Sequence, residues 1–190
     1  MFLKLEDIQN MLSPLELFEQ KVLESIHKEK EAKYIAEWQR LRQEGYSLNH
    51  LYLKESPNKG MGVFANKDFE EGDIIEYAYC MIYDWRSKYL LDSSIKRFSY
   101  IDMCNCKDCE NHGGLLIQPF GYGSIYNSAE AIEQRNADYF IINKKRLIVY
   151  EAIAKINKGD EILLWFGDSY FNNWCKNLNN KNKINSIDNL

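Results

Sequence analysis

A chain of 190 residues, 45% hydrophobic and 14% aromatic, suits one domain with a real core and room for an appended helical segment. Its formal net charge of −4 argues against a general nucleic-acid-binding role and is compatible with a basic, lysine-bearing protein or peptide as substrate. The opening MFLKLEDIQNML mixes charges into its apolar residues, unlike a signal peptide, and no run reaches the length of a membrane span. Five cysteines, three of them within six residues, read as thiols in a reducing compartment and not as a disulfide framework. A soluble intracellular protein is expected, in the cytoplasm rather than the nucleus because nothing resembles a nuclear import signal.

Residues 1–47 read as a helical segment. Ser13 can cap, Pro14 suits the first helical position, and Glu16 completes a capping box. Phe18, Val22 and Ile26 recur every four residues, as do Tyr34 and Trp38, and Gly45 ends the run. The stretch from His27 to Lys33 has no apolar stripe, which leaves one long solvated helix or two shorter ones, either packing on the domain or reaching for a partner. From Leu48 the pattern changes to short strands with Gly and Asn/Asp turns.

Within NKGMGVFANKDFEEGD, Gly60, Gly62 and Ala65 fit the dinucleotide fingerprint G-x-G-x-x-A. That motif needs a strand before it and a helix after it. Leu51 to Lys54 can be the strand, but the turn at Glu70-Glu71-Gly72-Asp73 leaves no room for the helix. The dinucleotide reading fails on length.

Residues 83–101 carry aromatics at mixed spacings and stay ambiguous. Cys104, Cys106, Cys109 and His112 form C-x-C-x2-C-x2-H, soft ligands of the kind tetrahedral Zn²⁺ prefers. A zinc site and a cysteine-rich loop both fit this spacing. Residues 115–127 read as strand and turn, and Tyr139 to Ile142 with Arg146 to Tyr150 as a hairpin around Asn143-Lys144-Lys145. Lys158-Gly159-Asp160 turns into a strand spanning residues 161–166. The Asn-rich residues 173–190 read as a polar, mobile tail. His27 and His50 show no partner and read as surface or packing residues.

Three segments taken in order resemble the SET domain, the fold of most protein lysine methyltransferases. They are Lys59 to Ala65, then Gly121-Tyr122-Gly123-Ser124-Ile125-Tyr126-Asn127-Ser128 followed by Asn136-Ala137, and then Lys158 to Ile162 running into Trp165-Phe166-Gly167-Asp168-Ser169-Tyr170. The likeness covers residues 48–172. It implies a mainly β fold with α-helix: several small curved sheets, a knot-like crossing of the C-terminal segment (a pseudoknot), and the helical segment in front.

The resemblance also implies a SAM-dependent protein lysine N-methyltransferase. The cofactor, S-adenosyl-L-methionine (SAM), would lie against Lys59, Gly60, Met61, Gly62, Asn127, Ser128 and Phe166. The lysine would enter an aromatic channel lined by Tyr170, Phe166 and Tyr126, with Tyr100 as a further wall candidate. Besides a longer insertion, Ala129 to Gln134, that leaves Arg135-Asn136-Ala137 for the family's Pro-Asn-Ala, two site positions depart from the family pattern. Ser128 stands where an Asn-His-Ser motif has His, and Phe166 stands where members usually carry a tyrosine whose hydroxyl faces the transfer. The familiar zinc site of the family lies after the last strand, where this chain has only Cys175. A SET-fold binding module with little or no transfer is the alternative that Phe166 keeps open.

Overall fold

Ser13 starts the first element as expected. Its hydroxyl accepts the Glu16 N–H at 3.3 Å while its own N–H donates to the Glu16 carboxylate at 2.7 Å, so two otherwise orphaned donors are satisfied. The protein is described by a computed structural model covering residues 13–57, 59–84, 100–102 and 115–167. It divides into two units, Met1–Tyr46 and Ser47–Leu190. In the first, a single helix, α1, runs Pro14–Glu44, and Gly45 takes φ 97° at its end. One helix therefore resolves the choice between one and two. Arg40 braces its last turns by pairing with Glu37 and Glu44, and Trp38 meets Tyr46 edge to face. Phe18, Val22 and Ile26 are exposed on it. Among the described residues, no helix is long and apolar enough to cross a membrane.

The second unit is built of three small sheets. Strands β1 (Leu51–Ser56) and β2 (Gly60–Ala65) form an antiparallel hairpin. The glycines of the apparent dinucleotide fingerprint thus lie within a strand, with no helix behind them. The main sheet is antiparallel, in the order β4 (Tyr100–Asp102), β5 (Leu115–Pro119), β3 (Ile74–Asp84), β8 (Leu147–Ala152), β7 (Ala137–Ile142). Strands β7 and β8 are the expected hairpin, closed by a 3₁₀ turn at Asn143–Lys145 and by Arg146 at φ 51°. Leu147 to Tyr150 are fully buried, as a strand with neighbours on both sides requires. The third sheet is a two-residue parallel pair, β6 (Asn127–Ser128) with β9 (Leu163–Leu164).

The six-residue strand expected over 161–166 is a correction, because only Leu163 and Leu164 pair as a strand. The segment changes partners along its length. Ala65 and Gly159 bond reciprocally with Asp160 and Ala65 carbonyls, and Ile162 donates to the Val63 carbonyl. From the next residue on, Leu163 and Leu164 pair with β6. Asn136 bridges the change: its amide nitrogen donates to the Glu161 carbonyl at 2.8 Å and its oxygen accepts the Leu163 N–H at 2.8 Å. The side chain acts as a peptide group would in a longer ladder. This is the local form of the crossing expected of the C-terminal segment.

Gly121 and Gly123 serve the interior. Gly121 adopts φ 68°, and a Cβ there would lie 2.5 Å from Glu76 Oε1; a Cβ on Gly123 would lie 2.6 Å from the Tyr150 hydroxyl. Both acceptors and donors are used: Tyr150 donates to the Gly123 carbonyl at 3.2 Å, and Glu76 accepts the Tyr122 N–H at 3.1 Å and the Tyr126 hydroxyl at 2.8 Å. His50, which the sequence left without a partner, donates a ring N–H to the Ile75 carbonyl at 2.7 Å and stands edge-on to Phe69.

Glu76 is 1% exposed, and burial pushes its carboxyl up from 4.5 to about 7 against the opposing pull of Tyr126 and Tyr122. The folded state therefore holds this proton over a range in which the unfolded chain has released it. The group's contribution to stability is intact below pH 4.5 and is lost as pH rises to about 7, a loss of about 3 kcal/mol. Urea unfolding at mildly acidic and mildly alkaline pH measures this slope, and Glu76→Gln is expected to flatten it.

Candidate active site

Glycine at position 62 is dictated by a carboxylate from the far end of the chain. A Cβ on Gly62 would lie 2.3 Å from Glu161 Oε1 and 3.0 Å from Asn127 Nδ2. Glu161 follows the Lys158-Gly159-Asp160 turn, is bridged to Phe64 of β2, and so points its side chain across the strand. Its Oε2 accepts the Ser56 hydroxyl at 2.8 Å and its Oε1 accepts an Asn127 amide N–H at 2.8 Å. Asn127 Nδ2 also donates to the Met61 carbonyl at 3.2 Å. β1, β2, β6 and the crossing segment thus meet within one hydrogen-bonded cluster.

Around it lie other residues singled out from the sequence. Gly60 opens β2 at φ 77° with open space where a side chain would stand, so its requirement is conformational. The Lys59 ammonium donates to the Ser128 carbonyl at 3.1 Å. Ser128 is buried; its hydroxyl accepts the Phe166 N–H at 3.3 Å and donates to the Ala129 carbonyl at 3.0 Å. Phe166 is half-buried and packs on the main core. Lys59, Met61, Gly62, Asn127, Ser128 and Phe166 therefore fall in one neighbourhood, linked by side-chain or backbone contacts.

Tyr126 is placed differently. Its ring is 4% exposed, lies 4.7 Å from the ring of Tyr150, and its hydroxyl is engaged by Glu76. Tyr100 lies on β4. Tyr170, the cysteine cluster with His112, and Cys175 lie outside the described residues, and no metal-binding cluster is found among those described. Sequence reading missed Glu161, Ser56 and Glu76. The Gly-Asp-Glu turn drew attention to Glu161, but nothing local signals a partner at Ser56.

Chemically, the cluster suits a cation. Both acceptors reached by Asn127 use its nitrogen, which fixes the amide orientation and leaves Oδ1 as its remaining acceptor. The neighbouring Glu161 carboxylate adds negative charge, and the half-buried Phe166 supplies an aromatic face. These residues fit a ligand carrying an ammonium and a sulfonium, as SAM does.

Gly62→Ala is expected to destabilise by about 1–3 kcal/mol through overpacking. Glu161→Ala is expected to cost a similar ~1–3 kcal/mol by stranding the Ser56 hydroxyl and an Asn127 N–H. Since Glu161 is the nearest atom group a new Cβ would strike, the two losses should add to less than their sum. Thermal or urea unfolding of the double variant checks this; full additivity would separate the two positions.

The SET-domain family model matches residues 60–167, more than half of the chain. No curated protein matches by sequence. Among solved structures, ATXR5 in complex with mono-methylated histone H3.1 is similar at a TM-score of 0.55 and 13% identity, over 73% of this chain and 66% of that one. A candidate histone methyltransferase from Plasmodium falciparum gives a TM-score of 0.48 and 22% identity, over 64% of this chain and 96% of that one. The methyltransferase domain of human PR domain-containing protein 2 gives 0.45 and 18%, over 65% and 80%. With its three small sheets, its crossing segment and the family match spanning both glycine motifs, the chain belongs to the SET-domain family.

Proposed function

We propose that this chain is a SAM-dependent protein lysine N-methyltransferase. The observation that carries this reading is the meeting of Met61 and Gly62, Asn127 and Ser128, and Phe166 in one hydrogen-bonded neighbourhood. When bound, SAM supplies an electrophilic methyl group. Asn127, through Oδ1, and the backbone from Lys59 to Gly62 would hold it, with Glu161 fixing the Asn127 amide. Ser128 would set the position of the Phe166 backbone, and Phe166 and Tyr170 would wall the lysine channel. Tyr126 would act from beneath, through its bond to Glu76. The acidic net charge supports a basic protein or peptide as substrate. A structural neighbour solved with histone H3.1 supports a protein substrate in the same way.

The chain's own task is chiefly to position and to desolvate. A lysine amine has a pKa of about 10.4, so at neutral pH its nucleophilic form is rare. An aromatic wall disfavours the ammonium and shifts part of the deprotonation cost to the binding step. Phe166 provides the wall without a hydroxyl. One lost hydroxyl is worth about 0.5–1.5 kcal/mol as an ordinary hydrogen bond, and roughly 3–4 kcal/mol if it serves the transition state.

Calorimetry with SAM, then transfer of a radiolabelled methyl group to lysate proteins, tests the reading. Micromolar binding and label on lysine are expected; no binding at high micromolar SAM would end it. Phe166→Tyr is expected to raise the transfer rate by a few-fold to about a thousandfold while leaving SAM affinity nearly unchanged. Binding without transfer in both proteins would assign a SET-fold binding module, the reading that Phe166 keeps open.

A further inference from the structure

Glu76 is the most deeply buried acid among the described residues, and its place in the sheet ties it to the proposed cofactor site. It lies on β3 opposite Tyr150 of β8. Two donors converge on it: the Tyr122 N–H reaches Oε1 and the Tyr126 hydroxyl reaches Oε2. Gly121 is shaped to let the carboxylate in, since a Cβ there would sit 2.5 Å from Oε1. Tyr150 does not compete for Tyr126, because its own hydroxyl is spent on the Gly123 carbonyl while its ring packs on that of Tyr126. Tyr126 directly precedes Asn127, the first residue of β6.

We propose that Glu76 is a positioning residue that, as the anion, holds Tyr126 and thereby fixes Asn127 for cofactor binding. This rests on the reading of Asn127 as a SAM contact. Among the described residues, the groups facing the carboxylate are the Tyr122 N–H of the 3₁₀ turn Gly121–Ser124, the Tyr126 hydroxyl and, on the neighbouring strand, the Tyr150 ring. Two donors and no acceptor suit a carboxylate. A neutral carboxyl adds a hydrogen of its own, which must be donated to the Tyr126 oxygen. The tyrosyl hydrogen then loses the Glu76 carboxylate as its acceptor, and the hold on the ring weakens. Burial places this change of charge near pH 7.

The same group thus drives two opposite trends. As pH rises from 4.5 toward about 7 the fold loses stability, while the strand that carries Asn127 becomes better held. A merely structural Glu76 would give the first trend without the second.

The test is calorimetry with SAM at about pH 6 and about pH 8 on the wild-type chain, Glu76→Gln and Tyr126→Phe. Wild-type affinity is expected to rise about fivefold or more over this range relative to each variant; the ratio cancels titration of SAM's own amino group. Glu76→Gln should match the weak, low-pH affinity throughout while unfolding at a higher temperature than wild type at pH about 8. Equal pH dependence of SAM affinity in all three proteins would overturn the proposal and leave the function intact. Should Glu76→Gln fail to fold, Tyr126→Phe carries the comparison, because it removes the hydroxyl and keeps the ring. A folded wild-type protein that binds no SAM at either pH would overturn the functional reading and the proposal with it.

Discussion

The Glu161 carboxylate bonds to Ser56 and Asn127 and occupies the space that a side chain at position 62 would need. Sequence separations of 105 and 34 residues are closed at this one group. Chain entropy opposes such long closures, and here two hydrogen bonds, a glycine and a two-residue parallel ladder have to hold the result. None of these is strong alone. They hold together because Glu161 is fixed twice, by its side chain on β1 and β6 and by its carbonyl on Asn136. These bonds converge where the chain changes partner, which is where a short parallel pair would otherwise fray.

Glu76 is the counterpart on the main sheet, and the two acids divide the work. Glu161 joins distant strands around a partly open cluster, while Glu76 is sealed inside and admits only a tyrosine hydroxyl and a backbone N–H. A buried acid that titrates near neutrality reduces stability at physiological pH, and an apolar residue of similar size would avoid that cost. Its retention is easier to understand at a site than in a plain core, since perturbed acids cluster where positions must be held by charge.

Local chemistry in the sequence was readable. The Ser13–Glu16 box, the stop at Gly45 and the β7–β8 hairpin follow from residue types within a few positions of one another. The order of the glycine motifs carried the fold class. What the sequence concealed is nonlocal. Gly62, Gly121 and Gly123 look alike as loop glycines, yet they yield to Glu161, Glu76 and Tyr150 respectively. A sixfold run of strand formers from Glu161 to Phe166 yields only two paired residues, because the strand beside it changes after Ile162. Propensity records what each residue tolerates and is silent on which partner is present.

The two departures from the family pattern meet at a single bond. The resemblance drawn from the sequence sets Ser128 against a His and Phe166 against a Tyr, and the Ser128 hydroxyl accepts the Phe166 N–H. The bond uses the backbone of residue 166, so loss of a phenolic hydroxyl leaves the frame of the site unchanged. A serine hydroxyl can also donate as it accepts, and here it returns its hydrogen to the Ala129 carbonyl, closing β6 onto the residue that follows it. The short side chain therefore keeps β6 and the segment after β9 together without filling the space of an imidazole. On the proposed function, any effect of lacking a phenolic hydroxyl at residue 166 is thus to be sought in the chemistry around its ring and not in the placing of the strands.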